Sequence, residues 1–475
     1  MTAHSFDTVV RGGTIVTAAD VYQADIGITD GKIVAIGRDL QEAATTIDAT
    51  GLLVMPGGID SHVHIAQPSG EGIVMADDFE SGTRSALLGG NTTVMPFCLQ
   101  QKGDTLREAL KKYHALAEGN CFTDISFHMI VSDPTPHVLG QEMPALAEEG
   151  YTSIKVFMTY EGLRLRDDEI LATLDAAKRS RQVVLVHCEN EDAIRYLIGR
   201  READGDTAPY HHATSRPIAA EREATHRALS LAEIVDTPIV IVHVSNREAM
   251  EEISRARLRG QKIAGETCPQ YLVLTADDLD LEDFEGAKFV CSPPPRDKES
   301  QDACWSGLEN GVFDLYSSDH CPFRFDDPSG KKTEKGMQSF RWIPNGIPGV
   351  ATRLPILFSE GVKTGRIDLN RFVALTSTNH AKLYGLYPQK GTIAVGSDAD
   401  LTLWDPELRK TITNDDLGHG ADYTPYEGME VTGWPVKVLL RGDLVMEKGV
   451  PVLGKGRGRY LPRKRSNLIN GETSL

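Results

Sequence analysis

Two histidines separated by one residue close an apolar run in "GLLVMPGGIDSHVH": His62 and His64. In an extended strand alternate side chains share a face, so both imidazoles aim at one point and Val63 points the other way. Single histidines recur at the ends of two further apolar runs, His187 in "VVLVHCEN" and His243 in "IVIVHVSN". Asp319 stands in "FDLYSSDH" and Lys155 inside "TSIKVF". One such histidine is ordinarily a hydrogen-bonded core residue, and His128 of "DISFHMIV" is read that way. Four histidines and an aspartate in like settings are better explained together, as ligands of a metal. Neutral imidazoles and carboxylates suit Zn²⁺, which in catalytic sites keeps one position open.

Lys155 is the odd member. A pair of dications carries four positive charges, and this set offers them one carboxylate. A lysine inside an apolar strand is buried and its pKa is drawn down. The free amine can then add carbon dioxide, and the resulting carbamate is an anionic ligand with two oxygens.

These residues lie far apart in the chain, so a fold must gather them. Between about Gly57 and Leu386, apolar strand-like runs alternate with amphipathic stretches such as "DDEILATLDAAKRSR" and "NREAMEEISRARLRG". That alternation reads as parallel βαβ units, and seven or eight of them fit a (β/α)₈ barrel with insertions, whose functional groups sit at the carboxyl ends of the strands. An open doubly wound sheet is disfavoured because no GxGxxG follows an early strand. Short alternating strands fill both ends of the chain, with "TDGK" a hairpin turn in the first part. The expected division is a β-sandwich formed from residues 1–56 and 387–456, a metal-dependent barrel over 57–386, and a C-terminal tail over 457–475.

Composition removes several classes. The 475 residues carry a net charge of −18, which argues against nucleic acid as a partner. The one basic run, "KGRGRYLPRKRS", is read as a solvated tail or a contact between subunits. Seven cysteines without a CxxC pair indicate reduced thiols and a cytoplasmic protein. Cys188 and Cys321 are read as packing residues. The N-terminus lacks the pattern of a signal peptide, and no run reaches the ~18 apolar residues of a membrane helix. "GVPVLGKG" has a GxxxxGK spacing but no following Ser or Thr and no helix, so it is not read as a P-loop. No GxSxG elbow is present.

The motifs "PGGIDSHVH", "IKVFMTY", "LVHCEN", "VHVSN", "ETCPQYL", "SPPPR", "SSDHCPF" and "IPNGIPGV" resemble the hydantoinase/dihydropyrimidinase family of the cyclic amidohydrolases, over nearly the whole chain. The resemblance implies a barrel with a terminal β-sandwich and two Zn²⁺ per subunit, bridged by N6-carboxylated Lys155 and hydroxide. It implies that His62, His64 and Asp319 hold the more buried zinc, and that His187 and His243 hold the other. Tyr160 falls where the family places its oxyanion-stabilising tyrosine. Ser292 and Asn345 match the positions whose backbone groups hold the amide edge of the ring. Asp319 would also be the general base. The implied reaction opens hydantoins or dihydropyrimidines to N-carbamoyl amino acids, and the implied assembly is a homotetramer.

Two departures leave the ring open. His-Val-His replaces the commoner His-Thr-His, and "MPFCLQQKGD" follows "NTTV" where an acidic strand end is usual; "IAQPSGEGIVMADDF" is a further candidate lining. An allantoinase or a cyclic-imide hydrolase is the alternative, while no arginine directly follows "HVH" as a dihydroorotase would have it. A scaffold relative that has lost its ligands is disfavoured, because all six ligand positions are filled.

Overall fold

A computed structural model describes residues 5–470. Eight parallel strands form a barrel: Gly58–Val63, Asn91–Leu99, His128–Ile130, Ser153–Phe157, Val183–His187, Ile239–Ile241, Ile263–Thr267 and Leu315–Tyr316. A bridge between Val63 and His320 links the last strand region back to the first. Strand side chains alternate between two cores. Ile154 and Val156 face the surrounding helices, whereas Phe157 joins Phe97, Leu185, Val240 and Leu315 inside the barrel. With a period of two, Lys155 shares the inner face with Phe157. Val63 packs with Ile65 and Phe79 in the outer core, away from its flanking histidines.

Polar caps start the helices directly behind the strand ends. Asn190 and Asn246 each accept a hydrogen bond at 3.0 Å, from the backbone N–H of Ala193 and Ala249. Both stand three residues after a candidate ligand, so "HCEN" and "HVSN" are strand end, ligand and helix cap in one short phrase. The helices Glu191–Asp204 and Arg247–Leu258 follow.

Both chain ends build the β layers. One sheet has four strands, with Phe6–Arg11 between Asp25–Thr29 and Ala43–Asp48. In the seven-stranded sheet, Leu401–Thr411 from the late chain pairs antiparallel with Leu53–Pro56 from the early chain. Val10, Ile26, Val54, Leu401 and Leu439 form a shared core. The "TDGK" turn closes the hairpin Asp25–Gly37, with Asp30 and Gly31 at φ 50° and 73°, the backbone of a type I′ turn.

The basic C-terminal run is only partly a solvated tail: Lys455, Arg457, Arg459 and Lys464 are exposed, but its end packs against the barrel. Arg463 is buried, and its guanidinium donates to Phe127 O and, at 2.7 Å, to Ser153 Oγ, at the starts of two barrel strands. Leu461 and Leu468 join the inner barrel core, and Tyr460 bridges to Ile125. The end of the run thus packs against the amino ends of the strands, which charge counting alone could not reveal. Residues 1–4 and 471–475, the outermost parts of the expected sandwich and tail, lie outside the described residues.

Candidate metal centre

At the carboxyl ends of the strands the separated residues meet. Nε2 of His62 and of His64 lie 3.2 and 3.3 Å from one oxygen, Oδ1 of Asp319. One ligand atom from each of the three falls within 4.8 Å of the others, close enough to share an ion. Beside them, Nδ1 of His187 and Nε2 of His243 face each other at 2.9 Å. The His62 and His243 rings are 5.4 Å apart between centroids, so the two groups are adjacent. Three of the site residues hold left-handed backbone: Tyr160 at φ 73°, His243 at 41° and Asp319 at 51°. Non-glycine residues keep that conformation only where their surroundings impose it, which is common at functional sites.

The partners of the other ring nitrogens set the tautomers. His62 Nδ1–H donates to Glu266 at 2.6 Å, His64 Nδ1–H to Gln67 at 2.7 Å, and His187 Nε2–H to Glu189 at 2.8 Å. Each ring thereby keeps its other nitrogen toward the centre, where an ion could take the place of its proton. Glu189 is held in turn by Arg216 at 2.8 Å. Sequence reading did not single out these orienting residues. A glutamate inside "KIAGETCP" and another in "VHCEN" were the available signals, since a buried carboxylate needs a partner.

Electrostatics favour a cation between the carboxylates. Burial works to lower the His62 pKa, but Glu266 and Asp319 outweigh it and carry the imidazole up to about 9. Burial lowers His64, His187 and His243, keeping them neutral. Burial opposes the ionised form of Asp319, yet His62 and the hydrogen bonds from both histidines hold it well below the usual range.

Lys155 is fully buried, and its Nζ has no hydrogen-bond partner among the described residues. The rings of Phe97 and Phe157 flank it, each at 5.1 Å. Burial draws the amine down to about 8. An orphaned amine beside these histidines fits the donor set that a two-metal centre would require, because a carbamate there would supply the missing anionic ligand.

The centre opens into a cavity of about 650 Å³. Ile73, Met75, Leu99, Phe157, Phe323 and Trp342 line much of it, and Gln67 to Met75 place the "IAQPSGEG" segment in its wall. The Tyr160 hydroxyl lies near the side chains of Ser292 and Asn345; burial raises its pKa, so it stays protonated. Both Ser292 and Asn345 line the same cavity. Among the described residues no hydrogen bond takes up the Ser292 carbonyl or the Asn345 N–H. His128 lies apart in the core, donating to Ser61 O at 3.0 Å and accepting from Ser153 at 2.6 Å. The chain has no disulfide; Cys188 is buried, and Cys321 lies at the cavity wall.

The sequence matches the amidohydrolase family over residues 53–445, and residues 1–55 match the N-terminal domain of the urease alpha-subunit. A D-hydantoinase of Rhizobium radiobacter is 47 % identical, over 97 % of this chain and 99 % of its own length. One from Geobacillus stearothermophilus is 48 % identical over 98 % of both chains. The crystal structure of a dihydropyrimidinase from Brevibacillus agri superposes with a TM-score of 0.94 at 47 % identity, covering 97 % of this chain and 99 % of that one.

Proposed function

The chain belongs to the hydantoinase family of the amidohydrolases and is a hydrolase of cyclic amides; from that premise we propose that it opens hydantoins or dihydropyrimidines to N-carbamoyl amino acids at a two-zinc centre. The observation that carries the reading is the meeting of two ligand groups, His62–His64–Asp319 and His187–His243, beside the orphaned amine of Lys155. His62, His64 and Asp319 would hold one ion and His187 and His243 the other, with Lys155 as a bridging carbamate. When bound, the ions supply an acidified water and polarise the ring carbonyl.

The chain's own groups do the rest. The Ser292 carbonyl and the Asn345 N–H are a free acceptor and a free donor on one cavity wall, matching the N–H and C=O of a cyclic amide edge. Tyr160 donates its hydroxyl proton in a hydrogen bond to the carbonyl oxygen as negative charge builds there. Asp319 accepts a proton from the attacking water and returns it to the ring nitrogen as the C–N bond breaks. Water is added across that bond, leaving a carboxylate and a ureido group. The apolar side chains around the cavity support ring substituents that are alkyl or aryl.

The same reading takes the enzyme as a cytoplasmic homotetramer. Among the described residues no helix is long and apolar enough to cross a membrane. The deciding experiment is a panel of hydantoins, dihydropyrimidines, allantoin and cyclic imides, offered to zinc-loaded protein. Ring opening confined to allantoin or to imides would replace the substrate assignment. Protein that holds less than about 0.2 zinc per chain without exposure to chelator would point to a scaffold.

A further inference from the structure

Lys331 is one of the largest fully buried side chains of the protein. Its Nζ donates to two backbone carbonyls, Val290 O at 2.8 Å and Pro344 O at 2.6 Å. The first lies two residues before Ser292, and the second directly before Asn345. The two segments touch once more, where Gly346 N–H donates to Val290 O at 3.0 Å. The carbonyls on either side of Ser292 are also held, Cys291 O by His212 at 2.8 Å and Pro293 O by Tyr271 at 2.9 Å. This anchoring leaves the Ser292 carbonyl as the open acceptor of its segment.

The turn that delivers Lys331 is tight and reaches a third wall. Its own N–H donates to Arg324 O at 2.8 Å, and a Cβ on Gly330 would meet that same oxygen at 2.0 Å. Ser329 O accepts from Val74 N–H at 2.8 Å, joining the turn to the "IAQPSGEGIVM" lining. Burial draws the Lys331 amine down to about 7. Protonated or neutral, the amine has at least the two N–H groups that the carbonyls need.

We propose that Lys331 is a positioning residue for ring recognition: by tying the Val290 and Pro344 carbonyls together it sets the spacing between the Ser292 and Asn345 peptide groups, and with it the ring size the site prefers. The inference rests on the functional reading above. It concerns a residue that touches neither the ring nor the metal ligands.

Lys331→Met keeps most of the length of the side chain and removes the amine that donates to both carbonyls. In zinc-loaded enzyme we expect KM for a hydantoin to rise about tenfold or more with kcat changed less than about threefold. Zinc content should stay unchanged, and the preference between hydantoin and dihydrouracil in kcat/KM should shift by about fivefold or more. Lys331→Gln, which retains one donor group, should fall between, and it serves as the test if the methionine variant does not fold. Lys332→Met, which loses a contact with Asp326 at 3.0 Å and an approach to the Phe325 ring at 4.4 Å, should match the wild type. A folded Lys331 variant with unaltered KM and ring preference overturns the inference. So does one that loses zinc and kcat alike for both rings, since that is general damage. Wild-type enzyme that opens neither ring overturns the functional reading, and this inference with it.

Discussion

The Glu266 carboxylate accepts the Nδ1–H of His62 at 2.6 Å and the hydroxyl of Ser317 at 2.7 Å, and it takes the backbone N–H of His243 at 3.2 Å. One buried acid on the seventh barrel strand thus orients a candidate ligand from the first strand and fixes the backbone of another beyond the sixth. Its charge also raises the electron density that His62 offers an ion. Glu266→Gln should therefore weaken zinc binding by about 10- to 100-fold, read by competition with a chelator. Unchanged affinity would mean that the ring is held by packing alone.

Lys155→Ala should reduce bound zinc from two ions to one or fewer per chain and abolish ring opening. Short carboxylic acids should partly restore both, because a free carboxylate can stand where the carbamate would. Metal analysis and activity with and without added acetate or propionate measure this. A mutant with full metal content and activity would remove the carbamate from the site.

Tyr160→Phe should lower kcat by about 10²-fold, the usual scale for a lost oxyanion donor. Zinc content should stay the same, since the hydroxyl lies by Ser292 and Asn345 and is not one of the candidate ligands. An unaltered kcat would take Tyr160 out of the chemistry.

Lys331 makes stability depend on pH. Burial places its amine at about 7 in the fold against 10.5 ordinarily, so between those values the unfolded chain binds the proton that the folded protein has released. Stability therefore rises with pH across that window. Relative to Lys331→Met, the wild type should gain about 1.4 kcal/mol per pH unit above pH 7. Denaturation of both proteins at pH 7, 8 and 9 tests this. A constant difference would mean that the amine titrates normally.

Leu461→Ala should lower Tm by a few degrees, as for a side chain removed from a packed core. The residue lies in the inner barrel cluster although it stands within a basic run. No change in Tm would return the run to the surface.

Local sequence went far here because a parallel barrel writes itself repeatedly. Each unit is an apolar run, a polar residue at its carboxyl end and a helix cap, so "VVLVHCEN" and "IVIVHVSN" announce strand, ligand and helix together. The period of two in "HVH" was enough to aim His62 and His64 at one point and Val63 away. Lys155 was legible by its misplacement, a cation inside an apolar strand.

Other features depended on contacts between distant segments. Glu266 and His62 are 204 residues apart in sequence, and nothing in "AGET" says which histidine that carboxylate meets. Lys331 and Arg463 each look like solvated cations in a charged stretch, yet both are buried with backbone carbonyls as partners. Charge and hydropathy describe a residue's own preference for water. Whether that preference is met by solvent or by carbonyls from another strand is decided only when the chain closes. The chain therefore announced the candidate ligands and the barrel that gathers them, while tertiary packing decided which groups orient those candidates and brace the wall beside them.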